Sequence, residues 1–126
     1  MGPGIEFLLD SVIVIDHLNG VPAAEEYLLT MGERAAISVV TRAEVLTGFP
    51  REGRIVPEGL LGLFPLLPID VEAADIAADL RREYRWKLPD AFQAALAQHH
   101  QLRLVTRNSK HFPPGRFSFV EIPYEI

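Results

Sequence analysis

The chain contains no cysteine, which removes disulfide bonds, thiolate metal sites and cysteine nucleophiles from consideration and fits a reducing cytoplasm. It also lacks any apolar run approaching the roughly 20 residues needed to span a bilayer, so no membrane anchor is expected. The opening Met1-Gly-Pro-Gly4 is too short and too uncharged for a secretory signal. Lysine is scarce, with only Lys87 and Lys110. Positive charge as a whole is in the minority, 12 Lys and Arg against 17 Asp and Glu for a net −5, which at first argues against a polyanionic partner. The distribution reverses that. From Arg81 to Arg116 eight basic residues meet only Glu83 and Asp90, a net +6 that leaves −11 on the rest of the chain. An acidic protein can still present one basic rim to phosphates, although a solvated helix face and a basic loop would read the same way.

What is present is enough for one core. A chain of 126 residues, 48% hydrophobic and 23% charged, reads as a single domain over 1–126 with no repeat, linker or low-complexity tract. Short apolar runs alternate with helical patterns, the signature of β-α units and a parallel sheet. The strands expected are 5–9, 36–40, 66–69, 102–105 and 117–122. Helices are expected over 11–18, from Pro22 to near Gly32, from Thr41 to about Gly48, over 71–84 with Val71, Ala74, Ala78 and Leu80 inward, and over 91–100. The polar stretch 51–59 reads as a loop, followed by a helical turn or two over 60–64.

The informative feature is where acids fall relative to strand ends. Asp10 follows the first strand, Glu44 lies in the first turn of the helix after the second, and Asp90 opens the alanine-rich helix after Leu88-Pro89. Loops at the carboxyl ends of a parallel sheet form its ligand crevice, so three acids delivered there from separate segments can converge. Each also has a structural reading. Asp10 can cap its helix with Leu9 and Val14 as a staple, Thr41 and Glu44 form an S/T-x-x-E capping box, and Asp90 with Gln93 fits a similar pattern. Converging carboxylates repel one another, and a hard divalent cation such as Mg²⁺ removes that penalty. Such a site can activate water against a phosphodiester without any cysteine, serine or histidine nucleophile. Asp16, six residues beyond Asp10, is turned about 240° round the helix and should not share its face.

These segments together resemble the PIN-domain family. Phe7-Leu-Leu-Asp10-Ser-Val-Ile-Val-Ile-Asp16 is similar to its opening motif, Ser38-Val-Val-Thr-Arg-Ala-Glu44 to its second, Leu88-Pro-Asp90-Ala-Phe-Gln-Ala-Ala to its third and Leu104-Val-Thr106-Arg-Asn108-Ser-Lys-His111 to its last. The resemblance implies a three-layer α/β/α sandwich around a central, mostly parallel sheet of four to five strands. It implies RNA hydrolysis with Mg²⁺ or Mn²⁺, commonly by a VapC-type toxin that forms a homodimer or higher oligomer and is silenced by a cognate antitoxin. By position, Asp10, Glu44 and Asp90 would be the metal-binding and catalytic acids. Asn108 would stand where many members place a fourth acid, and His111 where another aspartate is common. Ser11 and Thr106 would be polar helpers, and Arg85, Arg107 and Lys110 in the basic run would hold the strand. Two other readings exist. A receiver-like phosphoacceptor domain would use Asp70, but neither lysine ends an expected strand; a catalytically silent interaction module on the same fold is favoured by Asn108.

Overall fold

A computed structural model describes residues 4–126; Met1, Gly2 and Pro3, most of the opening segment that is too short for a secretory signal, lie outside the described residues. Five strands, β1 (Phe7–Leu9), β2 (Ala35–Ser38), β3 (Leu66–Leu67), β4 (Arg103–Val105) and β5 (Val120–Glu121), pair in the order β3-β2-β1-β4-β5, every neighbour parallel. Six helices connect them: α1 (Ser11–Leu18), α2 (Pro22–Met31), α3 (Val39–Thr47), α4 (Ile55–Leu61), α5 (Val71–Tyr84) and α6 (Leu88–His99). None of them is long and apolar enough to cross a membrane.

Strand side chains alternate between two faces, and each face is covered by helices. Phe7, Leu9, Ile37 and Val105 pack with Ile13 and Val14 of α1, Met31 of α2, Val45 of α3 and Leu61 of α4. Leu8 and Leu104 point the other way, onto α5 and α6. The layers are therefore helix, sheet, helix, as expected. The second of these faces is closed by small residues. Ala73 and Ala77 of α5 and Ala91, Ala94 and Ala95 of α6 have no exposed surface, which lets the two helices approach closely. Trp86, Phe112 and Phe117 seal its far end with mutually edge-on or tilted rings. Trp86 is thus a core residue.

Several boundaries differ from the sequence expectation for identifiable reasons. β2 stops at Ser38, whose hydroxyl accepts from the Thr41 amide at 3.1 Å and caps α3, so Thr41 lies inside the helix and no Thr41–Glu44 capping box forms. α6 begins at Leu88 with Pro89 in its first turn; Asp90 is its third residue and makes no cap with Gln93. The inward stripe of α5 is Ala73, Ala77 and Leu80, one step out of phase with the expected Val71, Ala74 and Ala78; Val71 is 75% exposed. Val71 directly follows the Asp70 cap as the first residue of the helix. The stretch 51–59 is a short 3-10 turn followed by α4, because Pro57 sits in a first turn where no amide is required. Only Val120 and Glu121 of the expected fifth strand pair with β4; Phe117 and Phe119 turn into the aromatic cluster instead.

Strand register aligns three polar side chains at the carboxyl edge of the sheet. Because Leu8 pairs with Ala36 and Leu9 with Val105, Asp10 emerges level with Ser38 on one side and Thr106 on the other.

Replacing Ala77 with leucine should lower stability by about 1–3 kcal/mol through overpacking of α5 against α6. Ala78→Leu, one residue along and exposed, should stay within about 0.5 kcal/mol of wild type. Urea unfolding of the pair checks the phase of α5; equal effects would place its buried stripe elsewhere.

Candidate active site

Asp10 follows β1 and caps α1, and its carboxylate is almost completely buried. A buried charge needs donors, and three reach it. Oδ1 accepts from the Ser11 amide at 2.8 Å and from the Gln93 side-chain amide at 3.3 Å, while Oδ2 accepts from the Thr106 hydroxyl at 2.7 Å. Behind it runs a closed polar network. Ser38 donates to the Gln93 carbonyl oxygen at 2.8 Å, Gln93 donates to Thr41 Oγ1 at 2.7 Å, and Thr41 donates to the Leu9 carbonyl at 3.2 Å. Gln93 thereby ties β2, α3 and α6 to the carboxylate of Asp10.

Glu44, on α3, is partly exposed and lines the cavity beside Ser11. Asp90, in the first turn of α6, has Oδ2 2.8 Å from His111 Nδ1. Since a carboxylate can only accept there, that ring nitrogen carries the proton, and its 3.3 Å approach to the Asn108 amide nitrogen is a contact between two donors. Asn108 is held through its backbone amide, which donates to Thr106 Oγ1 at 3.0 Å, while its side-chain oxygen accepts from the His111 backbone amide at 3.4 Å. Asp10, Ser11, Val12, Glu44, Asp90, Arg107 and Asn108 line one open cavity of about 260 Å³.

Electrostatics in this cavity run against ionisation. Burial pushes the Asp10 carboxyl up; the Thr106, Ser11 and Gln93 donors oppose this, and the charge of Asp90 adds to it. Burial likewise pushes Glu44 up, with Ser11 pulling it down and Asp10 and Asp90 pushing it further up. Three mutually repelling carboxylates and an amide oxygen, with no thiolate or imidazole facing the cavity, form a donor set suited to a hard, oxygen-preferring divalent cation. The three do not close to within 4.8 Å of one another; among the described residues only Asp70, Glu72 and His99, two exposed acids and a half-buried imidazole, do so. Mg²⁺ retains several of its waters, so carboxylates that reach it through water need not converge that tightly.

The remaining candidates separate. Thr106 is buried behind Asp10 and holds it rather than lining the cavity. Arg107 is on the rim, but its Nε and Nη2 grip Asp16 at 2.6 and 2.9 Å, and Tyr124 donates to the same carboxylate at 2.9 Å. The Arg107 bonds hold the Asp16 carboxyl below the usual range despite its burial. Asp16 does not line the cavity; it clamps the segment carrying Arg107 and Asn108 to α1. Lys110 is exposed and outside the cavity, and Arg85 lines a different one. Asp70, the acceptor required by a receiver-like domain, caps α5 through the Ala73 amide at 2.8 Å and is also outside. Sequence patterns do not single out Gln93, Ser38 or the Asp16–Arg107 clamp. The available signal for Gln93 is an amide within an otherwise apolar stripe of α6, since a buried amide has to be answered by partners.

Because the Glu44 carboxyl is raised, the folded state binds its proton more readily, and metal-free stability falls as pH rises from the unfolded carboxyl value through the folded one. Glu44→Gln should flatten that slope and leave the melting temperature at pH 7 in EDTA unchanged or higher. A loss of about 1 kcal/mol or more would mean that Glu44 serves chiefly as a structural hydrogen-bonding group. Asp10→Asn is a poorer probe, because its new amide would face the Gln93 or Thr106 donor.

Residues 7–113 match the family model described as PIN domain. The chain is 37% identical over 126 residues to "Ribonuclease VapC10" of Mycobacterium tuberculosis, covering 94% of this chain and 93% of that protein. It is 31% identical to "Ribonuclease VapC19" of the same organism, covering 93% and 98% respectively. Among solved structures it resembles a chain of a toxin–antitoxin complex from Klebsiella pneumoniae, with TM-score 0.88, 36% identity and coverage of 96% of this chain and 100% of that one. A chain of a DNA-bound VapBC from Salmonella typhimurium superposes with TM-score 0.79 at 23% identity, over 93% of this chain and 97% of that one, a likeness of fold. With a buried aspartate, two further acids and an asparagine on one cavity at the carboxyl edge of a parallel sheet, and with its motifs matched over most of its length, the chain belongs to the PIN-domain family.

Proposed function

We propose that this chain is an endoribonuclease that depends on Mg²⁺ or Mn²⁺, and that it is the toxin of a VapBC-type toxin–antitoxin pair. The observation that carries this reading is the meeting of Asp10, Glu44 and Asp90, from β1, α3 and α6, on one solvent-open cavity beside Arg107 and Asn108. Relatives named as VapC ribonucleases and a likeness to a chain of a toxin–antitoxin complex support it.

Asp10, Glu44 and Asp90 would hold the cation, which when bound offsets their repulsion and supplies charge to the phosphodiester and its attacking water. The residues of this chain do the rest. Thr106, Gln93 and the Ser11 amide fix both oxygens of Asp10, so no reorganisation is needed when substrate arrives. His111 orients Asp90 in the same way. Glu44 is partly exposed and its carboxyl is raised by burial and by the charges of Asp10 and Asp90, so it can take up a proton where solvent reaches it. Arg107 uses two of its five donors on Asp16, and the others are free to meet a phosphate oxygen. Asn108 supplies a neutral oxygen where a further acid would add repulsion.

In this reading the chain is one domain over 1–126, acting on RNA in the cytoplasm as a homodimer or higher oligomer. A mainly apolar cavity of about 230 Å³, where Leu28, Leu29, Leu60, Leu63 and Phe64 meet His17 and Glu25, with Leu29 and Leu63 each 76% exposed, supports a polypeptide partner such as an antitoxin.

The test is cleavage of labelled single-stranded RNA in millimolar Mg²⁺ or Mn²⁺. EDTA should abolish it, and Asp90→Asn should lower kcat by about 100-fold or more, the scale of losing one electrostatic partner of a transition state. Wild type should also gain about 2.7 kcal/mol of stability at a metal concentration 100 times its Kd, a gain that Asp90→Asn should lose. Cleavage that persists in EDTA, or an Asp90→Asn variant as active as wild type, would remove the assignment; a wild type that never cleaves RNA would favour the silent interaction module.

A further inference from the structure

A second cavity, about 420 Å³, opens between the end of α5 and the start of α6 and is lined by Ala78, Arg81, Arg82, Arg85 and Leu88. Its size falls within the roughly 300–1,000 Å³ typical of ligand sites. Among the described residues no carboxylate lies within 4.0 Å of any of its three guanidinium groups, although Glu83 is interleaved with them in sequence. Three unpaired cations on one small surface of a chain with net charge −5 require an explanation.

Helix electrostatics explain part of it, since Arg81 and Arg82 are in the last turn of α5, where the dipole favours cations. Arg81 also donates to the Trp86 carbonyl at 2.7 Å and pins the turn. Arg85 is different. It lies beyond the helix at φ 59° and ψ 29°, the left-handed conformation that glycine adopts at a helix end without penalty. Its backbone amide already closes the helix on the Arg81 carbonyl, a bond that a glycine would make equally well. The fold therefore carries an arginine side chain where none is needed and where bearing one is unfavourable, and it directs that side chain to a cavity already lined by two others.

We infer that this arginine-lined cavity is a phosphate subsite for the RNA strand, separate from the carboxylate cavity. The subsite rests on the ribonuclease reading and deepens it. Both cavities border the first turn of α6, through Leu88 in one and Asp90 in the other. Guanidinium groups suit phosphodiester oxygens because their donors form a planar fork. Leu88, 46% exposed, adds an apolar contact for a base or ribose face. Recognition here is of the backbone, so it adds affinity without base preference.

The test is binding of fluorescein-labelled single-stranded RNA in EDTA, which blocks cleavage, across a salt series. Arg82→Ala and Arg85→Gly should each weaken binding. The double variant should raise Kd about tenfold or more and make the salt dependence shallower by about 0.7 for each phosphate that is no longer neutralised. Arg85→Gly should at the same time hold or raise the melting temperature, an opposition that a purely structural arginine would not produce. If wild type binds and cleaves RNA while both variants keep its Kd and salt slope, the subsite is wrong and the ribonuclease reading stands. If wild type cleaves RNA with metal present but binds none in EDTA, the subsite is wrong and the ribonuclease reading stands; if it neither binds RNA in EDTA nor cleaves it with metal, both fall. If the variants keep RNA affinity but lose binding to polyglutamate, the cavity is a docking site for an acidic polypeptide and the subsite proposal is overturned.

Discussion

Asp10 carries a carboxylate to a place that water barely reaches, and a charge so placed is tolerable only when other groups replace its hydration. Here the replacement comes from three directions: the first amide of the helix that Asp10 caps, a hydroxyl from the neighbouring strand's end, and an amide from a helix 83 residues away in sequence. These donors offset only part of the lost hydration: burial still pushes the carboxyl up, and the charge of Asp90 adds to it. That leaves a preorganised carboxyl whose charge a cation would stabilise. Much of the local structure serves this one group.

The topology explains how the donors arrive. With β1 between β2 and β4, and all three parallel, their carboxyl ends come out side by side. Thr106 is then one step from Asp10, and Ser38 stands level with it on the other flank. Ser38 does two jobs with one hydroxyl, accepting from Thr41 to start α3 and donating to Gln93 to fix the amide. Orientation of that amide is not free: its oxygen faces a hydroxyl donor, so its nitrogen must face Thr41 and Asp10. The hydrogen bond that begins a helix is thus coupled to the geometry of the carboxylate it lies behind. Asp16 and Arg107 act similarly at longer range, fixing the segment after β4 against α1.

The layers, the strand order's raw material and the three acids at strand ends are legible in the sequence because each is a local pattern. Apolar runs of strand length, helix periodicity and an acid just beyond a run can all be seen within a window of a dozen residues. The illegible features depend on groups distant in sequence. Thr41 and Glu44 have the spacing of a capping box, yet Ser38 begins the helix three residues earlier, because its hydroxyl has a partner in Gln93 that no local window contains. Gln93 looks like part of a cap for the same reason. The phase of α5 slips by one residue because alanines occupy positions 73, 74, 77 and 78, and a pattern of equal residues does not say which pair is inside. Arg107 looks like a free cation, since its partner Asp16 precedes it by 91 residues.

Charge is the property most easily misread from totals. A net −5 suggests a protein that repels RNA, and the acids of the carboxylate cavity would by themselves do so. Two circumstances reverse this locally. In the proposed function a divalent cation at the carboxylates would convert the strongest repulsive feature into an attractive one, and without it the same acids would repel the substrate. The arginines beside α6 are not paired away and remain available to a polyanion whether or not a cation is bound. Screening confines both fields to about 8–10 Å at physiological ionic strength, so the excess acidity elsewhere on the surface has little influence at either cavity. Under the proposed function, binding and turnover are therefore separable: the arginines would act on the strand's backbone irrespective of metal, while the buried aspartate and its two companions would act only where a cation joins them.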